Sequence, residues 1–184
     1  MKVENHHFSS GTITIRPHQI NDAEPCYEAV RESIDELMPW MFWCHNNISL
    51  HEIREWIESR PQEWEDGKGY HFAIIDSDQG TFIGNGGIDN IDVRNKVAEL
   101  GYWVRTSQTN HGIATSASKL IINFAFNSLK LNRIEIVIAT GNKISQRVAE
   151  KLDAKKEGLL RQRLTVRDTV YDAYLFSLIL DDLA

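Results

Sequence analysis

Two hydrophobic periods run along the chain and divide its first third into predicted strands and helices. Ile13 and Ile15 alternate with polar residues, which predicts a first strand over residues 12–16. Asn21 and Asp22 then favour a helix start. Apolar residues at helical spacing follow and predict one continuous helix that faces a core: Cys26, Val30, Ile34 and Leu37.

A second helix is predicted between Ser49 and Gly67. Ser49 and Glu52 have the spacing of a capping box, in which a serine and a glutamate satisfy free backbone amides reciprocally. The apolar stripe of this helix consists of Ile53, Trp56, Ile57 and Trp64.

Strand patterns dominate the middle of the chain. Residues 71–75 are almost wholly apolar, as expected of a strand covered on both faces. Residues 81–84 open another strand, and the glycines at 84, 86 and 87 indicate a bulge or a close backbone approach. Residues 97–104 alternate between two faces. One predicted face carries Ala98, Leu100, Tyr102 and Val104, and the other carries Val97, Glu99, Gly101 and Trp103.

The last third of the chain adds two helices and three strands. Helical spacing predicts helices over 113–129 and 144–152, and β-branched residues predict a strand over 133–139 between them. Two final strands flank a turn at 167–169. The order of elements predicts an α/β (α+β) fold on a mixed sheet. Because no repeat or flexible linker interrupts it, we expect a single domain over residues 1–184.

Composition narrows the classes of function. The formal net charge of −6 argues against direct nucleic-acid binding, which requires clustered Lys and Arg, but permits a basic peptide or a polyamine as partner. No apolar run reaches the length of a membrane span, and the first seven residues lack a signal-peptide stretch. Two cysteines, Cys26 and Cys44, are expected to be reduced, which favours a cytoplasmic location.

The turn 110–115 is a candidate anion site. It joins the strand that ends at Val104 to the next helix, and the first amides of a helix favour phosphate. Gly112 and Ala114 let an anion approach the backbone, and Thr115 could add a hydroxyl donor. An ordinary glycine turn is the alternative. The chain contains no P-loop sequence and no dinucleotide-binding GxGxxG after its first strand.

An ordered set of short motifs resembles one enzyme superfamily. The segments are 98–104 (AELGYWV), 111–115 (HGIAT), 131–135 (LNRIE), 142–152 and 157–161. In order and spacing they are similar to the GNAT superfamily of N-acetyltransferases, and within it to the Rim-type branch that acetylates the N-termini of ribosomal proteins. The anion loop departs from the usual family pattern at Thr109 and Asn110.

The resemblance implies a fold and a cosubstrate. The expected fold is a mixed, mostly antiparallel sheet of about seven strands, with helices on both faces and a splayed central gap for acetyl-CoA. Pantetheine would lie beside the backbone near Val104, and the pyrophosphate would sit on the amides of the turn. The implied cofactor-binding residues are Trp103, Val104, Asn110, His111, Gly112, Ile113, Ala114, Thr115 and Asn142.

Direct acetyl transfer to an amine requires a base for the amine and an acid for the leaving thiolate. Glu99, beside the implied gap, is the candidate base, and a solvated surface glutamate is the alternative. Ser145 is the candidate acid, with a helix-capping serine as the alternative. Asn142 is expected to bond either the pantetheine arm or the helix start. His111 would contact phosphate rather than the amine.

The acceptor is less closely specified by the sequence. Trp40 and Trp43 either line the substrate cleft or belong to the core. The leading hypothesis is transfer to the N-terminal α-amine of a protein, and a ribosomal protein is the first candidate. The alternatives are a small amine (a polyamine, an amino sugar or a drug) and a catalytically silent module that binds CoA or a partner. The resemblance allows a homodimer, and no metal site is expected.

Overall fold

The computed structural model describes residues 6–183. Its strands are β1 Phe8–Ser10, β2 Ile13–Pro17, β3 Tyr70–Asp76, β4 Phe82–Asp92, β5 Val97–Val104, β6 Arg133–Ala139, β7 Lys155–Val166 and β8 Thr169–Ile179. Its helices are α1 Ala23–Glu32, α2 Ile34–Leu37, α3 Leu50–Asp66, α4 Ile113–Asn127 and α5 Lys143–Lys151. Residues 1–5 lie outside the described residues. They make up most of the first seven residues, for which no signal peptide is expected.

These strands form one mixed sheet in the order β1-β2-β3-β4-β5-β6-β8-β7. Every pairing is antiparallel except that of β5 with β6, which is parallel. The predicted mixed, mostly antiparallel sheet is therefore confirmed, with eight strands instead of about seven. The additional strand is β1, a three-residue edge strand whose Ser9 and Ser10 leave no alternating apolar pattern to detect.

Helices cover both faces of the sheet, as predicted. On one face α4 packs Ile121 and Phe124 into a core that also contains Phe72 and Ile74 of β3. On the other face, α1 and α3 pack against Ala73, which lies between Phe72 and Ile74 in β3. Burial on both faces explains the continuous apolar run in β3, where residues 71–75 are all buried.

The prediction of one continuous first helix is wrong. The helix breaks at Ser33, which lies between α1 and α2 and is fully buried. Its Oγ accepts a hydrogen bond from the backbone amide of Thr106, 2.9 Å away. This contact ties the first helical segment to the loop that follows β5. The sequence pattern missed it because it is a long-range contact of a single polar residue.

The capping box of α3 is confirmed. Ser49 accepts from the amide of Glu52, and the Glu52 carboxylate accepts from the amide of Ser49. At the other end, Gly67 adopts φ 68° and ends the helix in the left-handed conformation that glycine favours. Within residues 6–183, no helix is both long enough and apolar enough to cross a membrane.

The central gap arises where β5 and β6 separate. Their parallel pairing is confined to three residue pairs and ends at Glu99 with Glu135. Beyond that point β5 continues to pair with β4 as far as Val104, and β6 continues to pair with β8 as far as Ala139. Each half of the sheet keeps its outer partner while the two halves diverge, so residues 100–104 face 136–139 across an unpaired opening.

We expect Phe124→Ala to lower the free energy of unfolding by about 3–5 kcal/mol, the usual cost of truncating a buried aromatic side chain. The Phe124 ring is 1% exposed and lies 5.2 Å from the Phe72 ring and 5.6 Å from the Trp64 ring, measured between centroids. Urea unfolding measures the effect. Phe42→Ala is the matched control, because Phe42 is 78% exposed and should change stability by less than about 0.5 kcal/mol.

Candidate active site

A cavity of about 710 Å³ reaches the opening between β5 and β6. It is lined by residues 99–103 of β5, residues 136–139 of β6, the loop between α2 and α3, and the first turn of α5. Six of the candidate site residues line it: Trp40, Trp43, Glu99, Trp103, Asn142 and Ser145. The fold thus brings together the candidate base, the candidate acid and the aromatic loop, by which we mean the loop between α2 and α3 that contains Trp40 and Trp43. These groups lie far apart in the sequence.

Glu99 lies at the last point of contact between β5 and β6. Its carboxylate Oε1 accepts a hydrogen bond from Arg163 Nη2 of β7 at 3.0 Å, and its side chain is 26% exposed. Within the described chain, Oε2 accepts no hydrogen bond and is available to a ligand. Arg163 was not singled out from the sequence, because only the return of β7 brings it near β5.

The face of β5 that carries Glu99 also shapes the cavity. Gly101 and Trp103 follow on this face, as the alternation predicted, and Trp103 packs into the core beneath α1 and α3. A Cβ atom at Gly101 would meet no atom within 4 Å, so the missing side chain leaves open space between Glu99 and Trp103. Val104 points to the opposite face and does not line the cavity.

Ser145 is held by contacts from two directions. Its backbone amide donates to Asn142 Oδ1 at 3.1 Å, so Asn142 is the N-cap of α5. Its Oγ lies 3.0 Å from the hydroxyl of Tyr102, which also donates to the Ser145 carbonyl oxygen at 3.2 Å. The side chain of Ser145 therefore contacts Tyr102, while Asn142 caps the helix, and the role of Ser145 as the acid stays a prediction.

Tyr102 is a site residue that the sequence analysis missed. The alternation of β5 placed it on the apolar face with Ala98 and Leu100, where an aromatic ring is expected simply to fill the core. Its ring does pack there, but its hydroxyl reaches the first turn of α5 and lines the cavity. Burial raises the pKa of Tyr102 to about 12, against a smaller opposing effect of the hydrogen bond with Ser145.

The loop between α2 and α3 forms one wall of the cavity. Trp40 packs against Gly141 and lies 5.9 Å from the Tyr171 ring, and Trp43 lies 6.2 Å from the Trp103 ring. Arg167, in the turn between β7 and β8, donates to two carbonyl oxygens of this loop, at Met38 and Cys44. Both tryptophans therefore line the cavity and also pack against neighbouring residues of the sheet and of the loop before α5.

The end of the cavity beneath α3 is polar. His71 Nε2 lies 2.9 Å from Asp89 Oδ1, an ion-pair distance whose angle does not satisfy a hydrogen bond. Arg60 of α3 donates to both oxygens of Glu63 and stacks over the Trp56 ring. Arg60 thus pairs with Glu63 and Arg163 with Glu99, which leaves Asp89, beside His71, without an arginine hydrogen bond within the described chain.

The turn 110–115 lies outside this cavity, at the start of α4. Gly112 is the N-cap, with φ 77° and no side-chain cap, and the first backbone bond of the helix runs from the Ser116 amide to the Gly112 carbonyl. Within residues 6–183 the amides of 113–115 donate to no other group. His111 is exposed, and a Cβ at Gly112 would meet nothing within 4 Å. This arrangement fits a pyrophosphate.

Both cysteines are buried and free. Burial raises the pKa of Cys26, which lines the cavity, to about 12, and Asp22 adds to the effect. Its thiol is therefore protonated at neutral pH and is a poor nucleophile. Among residues 6–183, no three His, Cys, Asp or Glu side chains come together in a way that could hold a metal ion.

Comparison with known proteins assigns the family. Residues 12–155 match the sequence model of the acetyltransferase (GNAT) domain. The chain belongs to the GNAT family and is an acetyl-CoA-dependent N-acetyltransferase, as the motifs indicated.

Its relatives include acetyltransferases named for ribosomal substrates. YdaF of Bacillus subtilis, whose name marks it as a candidate ribosomal N-acetyltransferase, is 32% identical over 168 residues, 91% of each chain. The ribosomal-protein-serine acetyltransferase of Escherichia coli is 27% identical over 88% of this chain and 89% of that protein. RimJ of Mycobacterium smegmatis, solved with CoA-disulfide, is 26% identical with a TM-score of 0.82, over 93% of this chain and 83% of that chain.

We expect the stability of the protein to fall as the pH drops from about 6.5 to about 4, in part because of His18. Burial lowers the pKa of His18 to about 4, although its bond to Asn85 and the nearby Asp22 oppose the shift. The unfolded chain binds a proton near pH 6.5 and the folded chain does not, so acid favours unfolding by on the order of 3 kcal/mol.

Urea unfolding of the wild type and His18→Asn at several pH values measures this contribution. The variant should lose less stability than the wild type across the same interval, because it has no imidazole to protonate. Parallel pH profiles for the two proteins would contradict the assignment. His51→Asn is the matched control and should follow the wild type, because His51 is exposed.

Proposed function

We propose that this protein transfers acetyl from acetyl-CoA to the N-terminal α-amine of a protein, and that the acceptor is a ribosomal protein. The observation that carries the proposal is the meeting of Glu99 and Ser145 in one cavity at the opening of the sheet. A carboxylate for the incoming amine and a hydroxyl for the leaving sulfur are the two groups that the reaction needs.

The chain's own geometry supports a place for the cosubstrate. The amides of 113–115 point out of the start of α4 without partners, and Gly112 leaves the approach to them clear. Asn110 to Thr115 would hold the pyrophosphate, and His111 would contact it. The pantetheine arm would follow the unpaired opening past Val104 and Trp103. In the described structure Asn142 bonds the helix start, so its side chain acts on the cosubstrate only through α5.

Glu99 would act as the base. Oε1 is fixed by Arg163, which leaves Oε2 to accept a proton from the attacking amine, directly or through water. Because Glu99 lies where β5 and β6 separate, an amine beside it faces the opening in which the thioester would lie. Fixed reactants account for much of the rate enhancement in such a direct transfer.

Ser145 would act as the acid. Its Oγ lines the cavity at the first turn of α5, where the helix dipole also favours negative charge on a leaving sulfur. A hydroxyl that donates to a developing anion in a site shielded from water contributes on the order of 3 kcal/mol to transition-state stabilisation.

A protein acceptor is favoured by the relatives and by the mouth of the cavity. YdaF and the Escherichia coli relative are both named for ribosomal acceptors. Phe42, which lines the cavity, is 78% exposed. An exposed apolar side chain on the cavity wall suits a peptide better than a small hydrophilic amine. A ribosomal acceptor implies a cytoplasmic enzyme.

Two further expectations stay predictions: that residues 1–184 form a single domain, and that the protein forms a homodimer.

A small cationic amine is the second candidate, and one observation favours it. The polar end of the cavity beyond Glu99 carries Asp89, whose carboxylate could bind a second ammonium group. A polyamine has such a group at a distance from the reacting amine.

We expect Gly112→Asp to raise the KM for acetyl-CoA about tenfold over Gly112→Asn. The two side chains have nearly the same size, and both tolerate a positive φ better than most residues. They differ in charge, so only aspartate repels a pyrophosphate on the first amides of α4. Steady-state kinetics of both variants measures the ratio. Equal KM values would contradict the assignment of the pyrophosphate to this turn.

The acceptor is tested with peptides that carry the N-terminal sequences of ribosomal proteins, beside a panel of polyamines, amino sugars and aminoglycosides. We expect release of CoA with the peptides, and loss of the reaction when their N-termini are blocked. Glu99→Gln should lower turnover at least about tenfold at neutral pH, because amide cannot take the proton. Detection of free thiol and mass spectrometry of the peptides measure both effects.

Each outcome separates the candidates. Turnover with a small amine alone would overturn the protein acceptor and support the second candidate. CoA binding without turnover on any acceptor would support the silent module. If Glu99→Gln keeps full activity on peptides, the base assignment fails while the proposed reaction stands.

A further inference from the structure

The hydroxyl of Tyr102 contacts the candidate acid at two atoms. It lies 3.0 Å from Ser145 Oγ and 3.2 Å from the Ser145 carbonyl oxygen. Both residues line the same cavity, on the α5 side of the opening. Tyr102 therefore reaches across the gap, from the half of the sheet that contains β5 to the helix that follows β6.

A single hydrogen on Tyr102 cannot serve both contacts fully. When it is donated to the carbonyl oxygen, which can only accept, the Ser145 hydroxyl must donate back to Tyr102 to make the shorter contact. The serine hydrogen is then turned away from the cavity. When Tyr102 instead donates to Ser145 Oγ, the serine hydrogen is released toward the cavity and any acceptor placed there.

The second arrangement also makes the serine a better donor. A hydroxyl that accepts one hydrogen bond is polarised and donates more strongly in the next. Tyr102 itself keeps its hydrogen at the pH of the reaction, because burial raises the pKa of its phenol to about 12. It can therefore direct the serine hydroxyl without serving as a source of protons.

The surroundings keep both residues in place. The Tyr102 ring packs against the core under α4, and its strand neighbour Gly86 has no side chain to compete for that space. The Asn142 side chain fixes the Ser145 amide. The Tyr102 ring and the Ser145 backbone are therefore held by contacts other than the one between the two hydroxyls.

We propose that Tyr102 is a positioning residue for acetyl transfer: its hydroxyl donates to Ser145 Oγ and directs the serine hydrogen toward the sulfur of CoA. This inference rests on the proposed function of Ser145 as the hydrogen donor to that sulfur. No bond to Tyr102 is made or broken.

A double-mutant cycle tests the proposal. Tyr102→Phe keeps the ring in the core and should lower kcat about tenfold, with little change in the KM for acetyl-CoA. In the Ser145→Ala background the same substitution should have no further effect on kcat, because the hydroxyl that Tyr102 directs is absent.

Tyr27→Phe is the matched control. Tyr27 is half-buried on α1, its hydroxyl makes no hydrogen bond within the described chain, and kcat should stay at the wild-type value.

A second readout needs no acceptor. The ultraviolet absorbance of the thiolate gives the pKa of the CoA thiol in its complex with the protein. A directed Ser145 hydroxyl stabilises the thiolate, so this pKa should rise in Tyr102→Phe and in Ser145→Ala by similar amounts, and should not rise further in the double variant. A protein that acetylates no acceptor but shows these shifts would refute the proposed function and retain the role of Tyr102.

Three results would overturn the proposal. In the first, Tyr102→Phe has the wild-type kcat and thiol pKa. In the second, the effects of Tyr102→Phe and Ser145→Ala add, which shows that the two hydroxyls act separately. In the third, Ser145→Ala is fully active while Tyr102→Phe is impaired, which makes Tyr102 itself the group that acts on the sulfur.

Discussion

The separation of β5 from β6 is the constraint on which the rest of the site depends. A parallel pair needs a crossover connection, and α4 provides it here on one face of the sheet. The pair holds together only until Glu99 meets Glu135, since β5 then follows β4 and β6 follows β8. The outer pairings are long and antiparallel, so the opening costs the sheet only a few hydrogen bonds between β5 and β6. The candidate base Glu99 and the candidate acid Ser145 both line the cavity at this opening.

Opposite faces of β5 serve opposite ends of the proposed reaction. Glu99 projects under α1 and α3, where an acceptor can approach, and Tyr102 projects toward α5 and Ser145. The strict alternation of a strand produces this division without any irregular backbone. In the proposed reaction, a base and a hydrogen donor would therefore act from the two sides of a thioester held between the strands.

The aromatic loop shows how the later part of the chain completes a cavity begun by the earlier part. Arg167 reaches from the turn between β7 and β8 to the carbonyl oxygens of Met38 and Cys44, and Arg163 of β7 reaches Glu99. The hairpin of β7 and β8 therefore positions both the loop between α2 and α3 and the candidate base. Neither arginine lies in a motif that resembles the family, and both act through contacts between residues far apart in sequence.

Local patterns in the sequence determined every strand but β1, most of the helices, the capping box at Ser49, the two faces of β5 and the open amides after Gly112. These features follow from hydrophobic period and from backbone chemistry within a few residues. The family resemblance added the mostly antiparallel pairing of the sheet and its central opening. Only the tertiary structure decided that Ser33 breaks the first helix, that Arg163 pairs with Glu99, and that Tyr102 touches Ser145. Each of these is a hydrogen bond between single polar groups brought together by the sheet order, and no periodicity within the chain encodes such a contact.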